Sequence, residues 1–514
     1  MSIGRRAKCR EGHLNIFKVI ICILILIATL SFIAITLSDK KGTKNNLSKE
    51  ISNLPEEIED EQNDFVSEEI IANEIETNEN FEEIVEDKNV PIWNGSSKEP
   101  KKENNVYSIY TPEELKWIAD QVITGEKNFK GSTVNLMVDI NLGGKANDNG
   151  EWEGNTWTPI IGTLESNEED AQKIRGFAGT FNGNNHWIKG MYINTTENYA
   201  GFIGYLTGEI KDLVIKNSYI KGNDNVGCFV GLNNGKISNC ILVNTKIEGN
   251  NKVGGFTGSS MTSSYISCCN HLDCTSEILG EDYIGGIVGY ANNNIDLFSC
   301  SNKANVTGNK YVGGITGISF FGTGISGCSN TSEKIIGESY IGGISGYSQA
   351  QIEKSFNTSK IEGKNFLGGI TGLNYVMGNI SSSYNKGEIV GEDDFIGGIS
   401  GANNATIVST YNTGNVTSNN KDEKNIGGIC GQNLSESAVN NSYNIGKIDG
   451  KGFIGGITGS NFGVQNNCYY LKDTVLAKTE EAKSEEEMKL IDLNEDFKAD
   501  SLMINKGYLI LNWQ

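Results

Sequence analysis

Histidine is scarce in this chain, with only His13, His186 and His271 among 514 residues. None is followed by glutamate, so the His-Glu-x-x-His arrangement that sets two zinc ligands on one helical face is absent, and metallopeptidase chemistry of that kind is excluded. Ser345 and Ser400, each in Gly-Ile-Ser-Gly, lack the second spacer of a nucleophile elbow and have no neighbouring histidine to act as base. Basic residues are short too: 43 Lys and Arg stand against 64 Asp and Glu, a net charge of −21. Nucleic acid is not an expected partner, because such binding rests on clustered Lys and Arg. Also missing, from residue 200 to 459, is any run with helical period. No helix N-terminus therefore follows Gly322-Thr323-Gly324-Ile325-Ser326-Gly327 to hold a phosphate, and this dinucleotide-like spelling is an accident of a chain with 63 glycines.

What the chain does have begins with its ends. Phe17 to Leu37 is apolar with no charge after Lys18, long enough to cross a bilayer as a helix, and Arg5, Arg6, Lys8 and Arg10 favour a cytoplasmic N-terminus. No small-x-small cleavage site follows, so an uncleaved single-pass anchor at 17–38 is expected, with a cytoplasmic tail at 1–16 and the bulk of the chain at the cell surface; a cleavable signal peptide is the alternative. From Lys49 to Val90 sixteen acids face two lysines. Residues 39–106 therefore read as a solvated, disordered acidic stalk, with a transient helix as the alternative.

A segment ending in hydrophobic-Gly-Gly-Ile-x-Gly, or a near variant, returns ten times, its closing glycines 26 to 31 residues apart from Gly204 to Gly459. A unit this short cannot bury an apolar face alone, so the copies must stack as a solenoid. Each unit holds two or three short β-favouring runs, which predicts one coil of a parallel β-helix of about three strands. Columns then replace rows as the meaningful direction. The structural glycines are Gly285, Gly286 and Gly289; Gly313, Gly314 and Gly317; Gly342, Gly343 and Gly346; Gly368, Gly369 and Gly372; and Gly397, Gly398 and Gly401. They are expected where positive φ or close backbone approach excludes a β-carbon. Before them runs an apolar column and, one place earlier, an aromatic column of Tyr283, Tyr311, Tyr340, Phe366, Phe395 and Phe453. A second aromatic column is Phe356, Tyr384, Tyr411, Tyr443 and Tyr469. After it comes an asparagine ladder, Asn270, Asn302, Asn330, Asn357, Asn385, Asn412 and Asn444, expected at a left-handed corner.

Cys240, Cys268, Cys300, Cys328 and Cys468 share one repeat position with Ser355, Ser383, Thr410 and Ser442, so small stacked side chains, as free thiols, are expected; disulfides between neighbouring coils are the alternative. Cys268, Cys269, His271 and Cys274 form a local cluster without zinc-finger spacing, and no metal or other cofactor is expected. Glu281, Asp282, Glu338, Asp393 and Asp394 are the best acids for a polysaccharide-cleaving or calcium-binding groove. Lys310 and Lys364 lie between them, and this alternation equally suits charges stacked coil on coil.

These repeats, with the lead-in Tyr110-Thr111-Pro112-Glu113-Glu114-Leu115, the segment Trp157-Thr158-Pro159-Ile160-Ile161-Gly162 and the closing Gly507-Tyr508-Leu509-Ile510-Leu511-Asn512-Trp513-Gln514, resemble the GLUG motif family of bacterial surface proteins, including the non-catalytic repeat region of IgA-cleaving metallopeptidases. The resemblance implies a right-handed parallel β-helix of the pectate-lyase type and a role in surface adhesion. The expected order is an N-terminal cap with irregular coils at 107–196, the repeats at 197–470 and a C-terminal cap at 471–514, with capping helices starting at Thr111 and running from Ser484 to Leu493. A non-enzymatic surface module with a glycan or protein ligand is the expectation. A polysaccharide-processing enzyme and an envelope scaffold are the alternatives, and the oligomeric state stays open.

Overall fold

An isoleucine, valine or leucine before every paired glycine calls for an inner wall, and stacking supplies it. The computed structural model describes residues 90–162, 176–419, 424–475 and 481–514. The expected tail, anchor and stalk up to residue 89 lie outside these. Among the described residues no helix is long and apolar enough to cross a membrane.

The repeats wind as an all-β parallel solenoid. One coil consists of the strands Asp282–Gly285, Val288–Ala291, Asp296–Phe298, Ser301–Asn302 and Asn305–Thr307. The next coil lies on it in parallel, pairing Asp282 with Lys310, Ile284 with Val312 and Gly285 with Gly313. This registry persists through sheets of nine, ten and fourteen strands. Five strands form where the sequence predicts three because single residues make some of the bends. Ser299, at φ 50°, is one that separates two strands. Inside, Ile284, Val312, Ile341, Leu367, Ile396 and Ile426 are fully buried, each contributing about 1.5–3 kcal/mol in apolar transfer.

The front of the solenoid is closed by the helix Pro112–Ile123, whose N-cap Thr111 accepts from the Glu114 N–H and whose Leu115, Ile118, Ala119 and Val122 are buried. Glu114 turns back to accept from the Tyr110 N–H and pairs with Lys98. Folded structure starts earlier than the expected stalk boundary at 106. Trp93 is buried against Trp157, and Lys101–Glu103 pairs antiparallel with Val106–Ile109. These apolar and β-forming residues interrupt the acidic composition that marks the stalk.

The C-terminal segment departs from expectation more. The predicted helix from Ser484 to Leu493 is a single capped turn, Glu485–Met488, because Leu493 is drawn into a cluster with Tyr411 and Tyr443. The chain after it lies along the flank of the solenoid, over the second aromatic column, and not across the end. Trp513 stacks on Tyr384 at 5.7 Å and donates from Nε1 to Ser382 O at 2.8 Å, Gln514 accepts from the Tyr411 hydroxyl, and Leu509 O accepts from Tyr443. Phe497–Lys498 pairs antiparallel with Ile510–Leu511 and locks this strap on itself.

Because coils couple chiefly to their neighbours, Trp513→Ala should cost about 2–4 kcal/mol locally. Amide exchange is expected to quicken in residues 381–444 while residues 203–291 keep their protection. Uniform loss along the solenoid would contradict the strap's local role.

Candidate functional site

Tyr283, Tyr311, Tyr340 and Phe366 stand inside the first strand of their coils and Phe395 just before it, at φ 64°, 57°, 58°, 52° and 62°. Left-handed backbone costs an L-residue about 1–2 kcal/mol and normally goes to Gly or Asn. Asn225 occupies the equivalent bend in an earlier coil. Five bulky aromatics in succession at such a bend go against local preference, and strain held at consecutive positions points to use. The bend leaves each ring outside the pairing ladder, and the rings stack down the solenoid at centroid distances of 5.1, 4.9, 4.6 and 4.6 Å.

Beside them, just after the closing glycine, stand Tyr290 and Tyr347. They share a column with Ile318 and Leu373. Tyr290 meets Tyr283 at 79° and Tyr347 meets Tyr311 at 83°, so these two rings are turned across the stacked ones. Phe320 touches both, and Tyr375, 38% exposed, extends the patch beside Tyr347. Burial raises the phenols of Tyr290 and Tyr311, and that of Tyr347 to about 12, so all three remain protonated hydrogen-bond donors at physiological pH. The result is an aromatic band whose rings are half-buried and partly open to solvent, with Lys252 over Tyr290, whereas Tyr384, Tyr411 and Tyr443 of the second column are buried beneath the strap. Repeat glycines make the band's columns easy to find in sequence. Tyr290 and Tyr347 are missed there because the residue after the closing glycine varies, though Gly-Tyr at 289–290 and 346–347 marks both.

The acids along the margin are engaged with lysines and backbone. Glu338 accepts from Lys364 at 2.6 Å and Asp393 from Lys424 at 2.9 Å, while Asp394 accepts from the Asn425 N–H and side-chain amide. Lys364 holds Glu338 below its ordinary range. Asp282 lies in register with Lys310. Glu281 borders a shallow depression of about 430 Å³ that also takes in Lys221, Glu248 and Asn250. Burial opposes ionisation of Glu248, but Lys246, Tyr219 and Lys221 outweigh it and keep its carboxyl low.

The remaining candidates separate. Ser345 and Ser400 are fully buried, donating to Tyr347 O and Ala402 O. Gly324–Ser326 is a strand of the fourteen-stranded sheet, not the start of a helix. Cys268 sits at a left-handed bend, Cys269 is buried, His271 is buried with Nε2 on Gly286 O, and Cys274 is exposed. Among the described residues no group of three or more His, Cys, Asp or Glu is placed to hold a metal. The thiol column holds Cys269 in place of Cys268, since Ile241 pairs with Asn270 and so sets Cys240 beside Cys269. All nine described cysteines are free. Burial holds the Cys228 thiol well up and raises Cys468 to about 12, so both are protonated and unreactive.

The asparagine ladder is interior. Asn302, Asn330, Asn357, Asn385, Asn412 and Asn444 are fully buried, and from Asn302 to Asn412 each Nδ2 donates to the Asn Oδ1 of the next coil at 2.8–2.9 Å. Asn385 also donates to Gly387 O and accepts from the Gly387 N–H, which satisfies the whole amide. The ladder is not the left-handed corner. That role falls to the column of Ser299, Gly327, Lys354, Ser382 and Ser409, three residues earlier. The paired glycines exist for close approach and not for positive φ: a β-carbon on Gly398 would collide with Gly428 O and the Asn412 side chain. Asn270 is the exception among the predicted members. It pairs with Ser301, one place out, so His271 occupies the ladder position above Asn302. A second ladder that the sequence reveals only as Asn two places after the closing glycine joins Asn374, Asn403, Asn433 and Asn461 at 2.8–2.9 Å.

No protein-family model and no curated protein matches the chain. Among solved structures it is similar to one described as "a putative immunoglobulin A1 protease from Bacteroides ovatus", at 17% identity and a TM-score of 0.36, over 79% of this chain and 92% of that one. The fold described above rests on the chain's own strand register and not on that likeness.

Asn385→Ala strips partners from Asn357, Asn412 and Gly387 and is expected to cost about 3 kcal/mol or more in denaturant unfolding, against at most about 0.5 for the exposed Asn293→Ala. His271 carries a separate pH signature. Burial lowers its pKa to about 4. Above about pH 6.5 the ring is neutral folded or unfolded; as pH falls toward 4 only the unfolded chain takes up the proton, so stability drops by about 3 kcal/mol across that window. His271→Asn should remove this component, and an unchanged pH profile would refute it.

Proposed function

We propose that this chain is a non-enzymatic surface interaction module: a β-solenoid held outside the cell by the 17–38 anchor and the acidic stalk, presenting its aromatic band to a ligand. The reading includes right-handed winding, as parallel crossover connections favour, and kinship with the GLUG repeats named above. The observation that carries it is the row of aromatics held at left-handed bends and left partly open to solvent, while the C-terminal segment lies over the other aromatic column. A continuous row of half-buried rings with solvent-facing edges suits a binding face. Engagement of Glu338, Asp393 and Asp394 by lysine and backbone favours a structural role for them over acid–base work.

On arrays of glycans and matrix proteins, the chain should be retained through the band. The double variant Tyr290→Ala/Tyr347→Ala should weaken retention at least tenfold under conditions where it remains folded, and Asp393→Asn/Asp394→Asn should leave it intact. Unsaturated sugar products released from a polysaccharide by the parent chain, and lost in the Asp393/Asp394 variant, would overturn the non-enzymatic reading.

A further inference from the structure

Resting on the reading that the band binds a ligand, we infer that this ligand is an extended, uncharged polysaccharide lying along the solenoid axis. Orientation is the first ground. The column from Tyr283 to Phe395 stacks ring on ring at interplanar angles of 2° to 26°, so its faces are occupied by one another and mainly edges reach solvent. Tyr290 and Tyr347, turned 79° and 83° to that column, have ring planes running with the axis and are not stacked on each other. They are the rings able to offer a face to the C–H groups of a flat sugar.

Spacing is the second ground. Ile318 lies between the two tyrosines in register, so they are two coils or roughly 10 Å apart. That is the length of a disaccharide unit in an extended, equatorially linked chain, so alternate sugars of one strand would meet Tyr290 and Tyr347. Ile318, 6% exposed, forms the floor between them. Lys252 Nζ lies over one face of the Tyr290 ring, 4.5 Å from its centroid, so a sugar would stack on the opposite face or displace this ammonium.

Charge is the third ground. Carboxylates and sulfates are gripped best by the planar fork of arginine, and the chain has no arginine after Arg175. At the margin of the band, Lys364 and Lys424 are neutralised by Glu338 and Asp393. Glu281, Asp282 and Asp394 add negative charge beside it. With these carboxylates set against Lys252, Lys310, Lys364 and Lys424, the band offers a polyanionic chain no net attraction, which an uncharged one does not need.

Affinity electrophoresis of the full-length chain tests this, with gels containing hydroxyethyl cellulose, xylan or glucomannan against gels containing polygalacturonate or heparin. Retardation by at least one uncharged polymer is expected, insensitive to added salt, reduced at least tenfold by Tyr290→Ala/Tyr347→Ala and largely kept by Tyr290→Phe/Tyr347→Phe. Retardation by the anionic polymers alone, weakened by salt and lost in the alanine variant, would overturn the uncharged ligand while leaving the band as the binding face. A protein ligand lost in the same variant, with no polymer retarded, would likewise overturn the polysaccharide and keep the band. Retardation that the alanine variant does not change would overturn both.

Discussion

A buried asparagine amide has two donors and an acceptor to satisfy, and in this solenoid a large share of that satisfaction comes from the same residue one coil away. Asn357 donates to Asn385 and Asn385 to Asn412, so each coil completes its neighbour's hydrogen bonds and cannot slip by a residue without orphaning several polar groups at once. The paired glycines follow from this, because Gly369 and Gly398 must leave room where Asn385 and Asn412 press against the backbone. The isoleucine walls and the thiol and hydroxyl column then fall into line as further columns under the same registry.

Columns of identical residues were legible in sequence for the same reason that they are stable: like stacks on like at a nearly fixed spacing. Reading failed where the period changes or the chemistry is not local. The coil containing Cys268 and Cys269 is longer than its neighbours, and alignment by letter chose Asn270 over His271 and Cys268 over Cys269; only the pairing of Ile241 with Asn270 shows the offset. The inside position of the ladder was not readable either, since asparagine is as common at left-handed corners as in stacked interiors. The C-terminal segment was recognisable as a distinct element. Its place on the flank depends on contacts more than a hundred residues away in sequence, such as Trp513 with Ser382, which periodicity does not encode.

The two aromatic columns show how one stacking rule yields two outcomes. Phe356, Tyr384, Tyr411 and Tyr443 stack as regularly as the first column, at 4.9–5.1 Å, yet the strap seals them and turns the Tyr411 and Tyr443 hydroxyls to Gln514 and Leu509. The first column keeps its edges open and is flanked by rings set crosswise. Similar stacks of rings become core where the strap lies over them and half-buried surface where they stand at left-handed bends without it.

Both asparagine ladders share a sense of direction: between Asn302 and Asn444 and between Asn374 and Asn461, every linking amide nitrogen donates to the C-terminal neighbour. Dipoles aligned head to tail in a dry interior polarise one another. Each ladder thus carries a dipole of its own along the stack, built from neutral side chains.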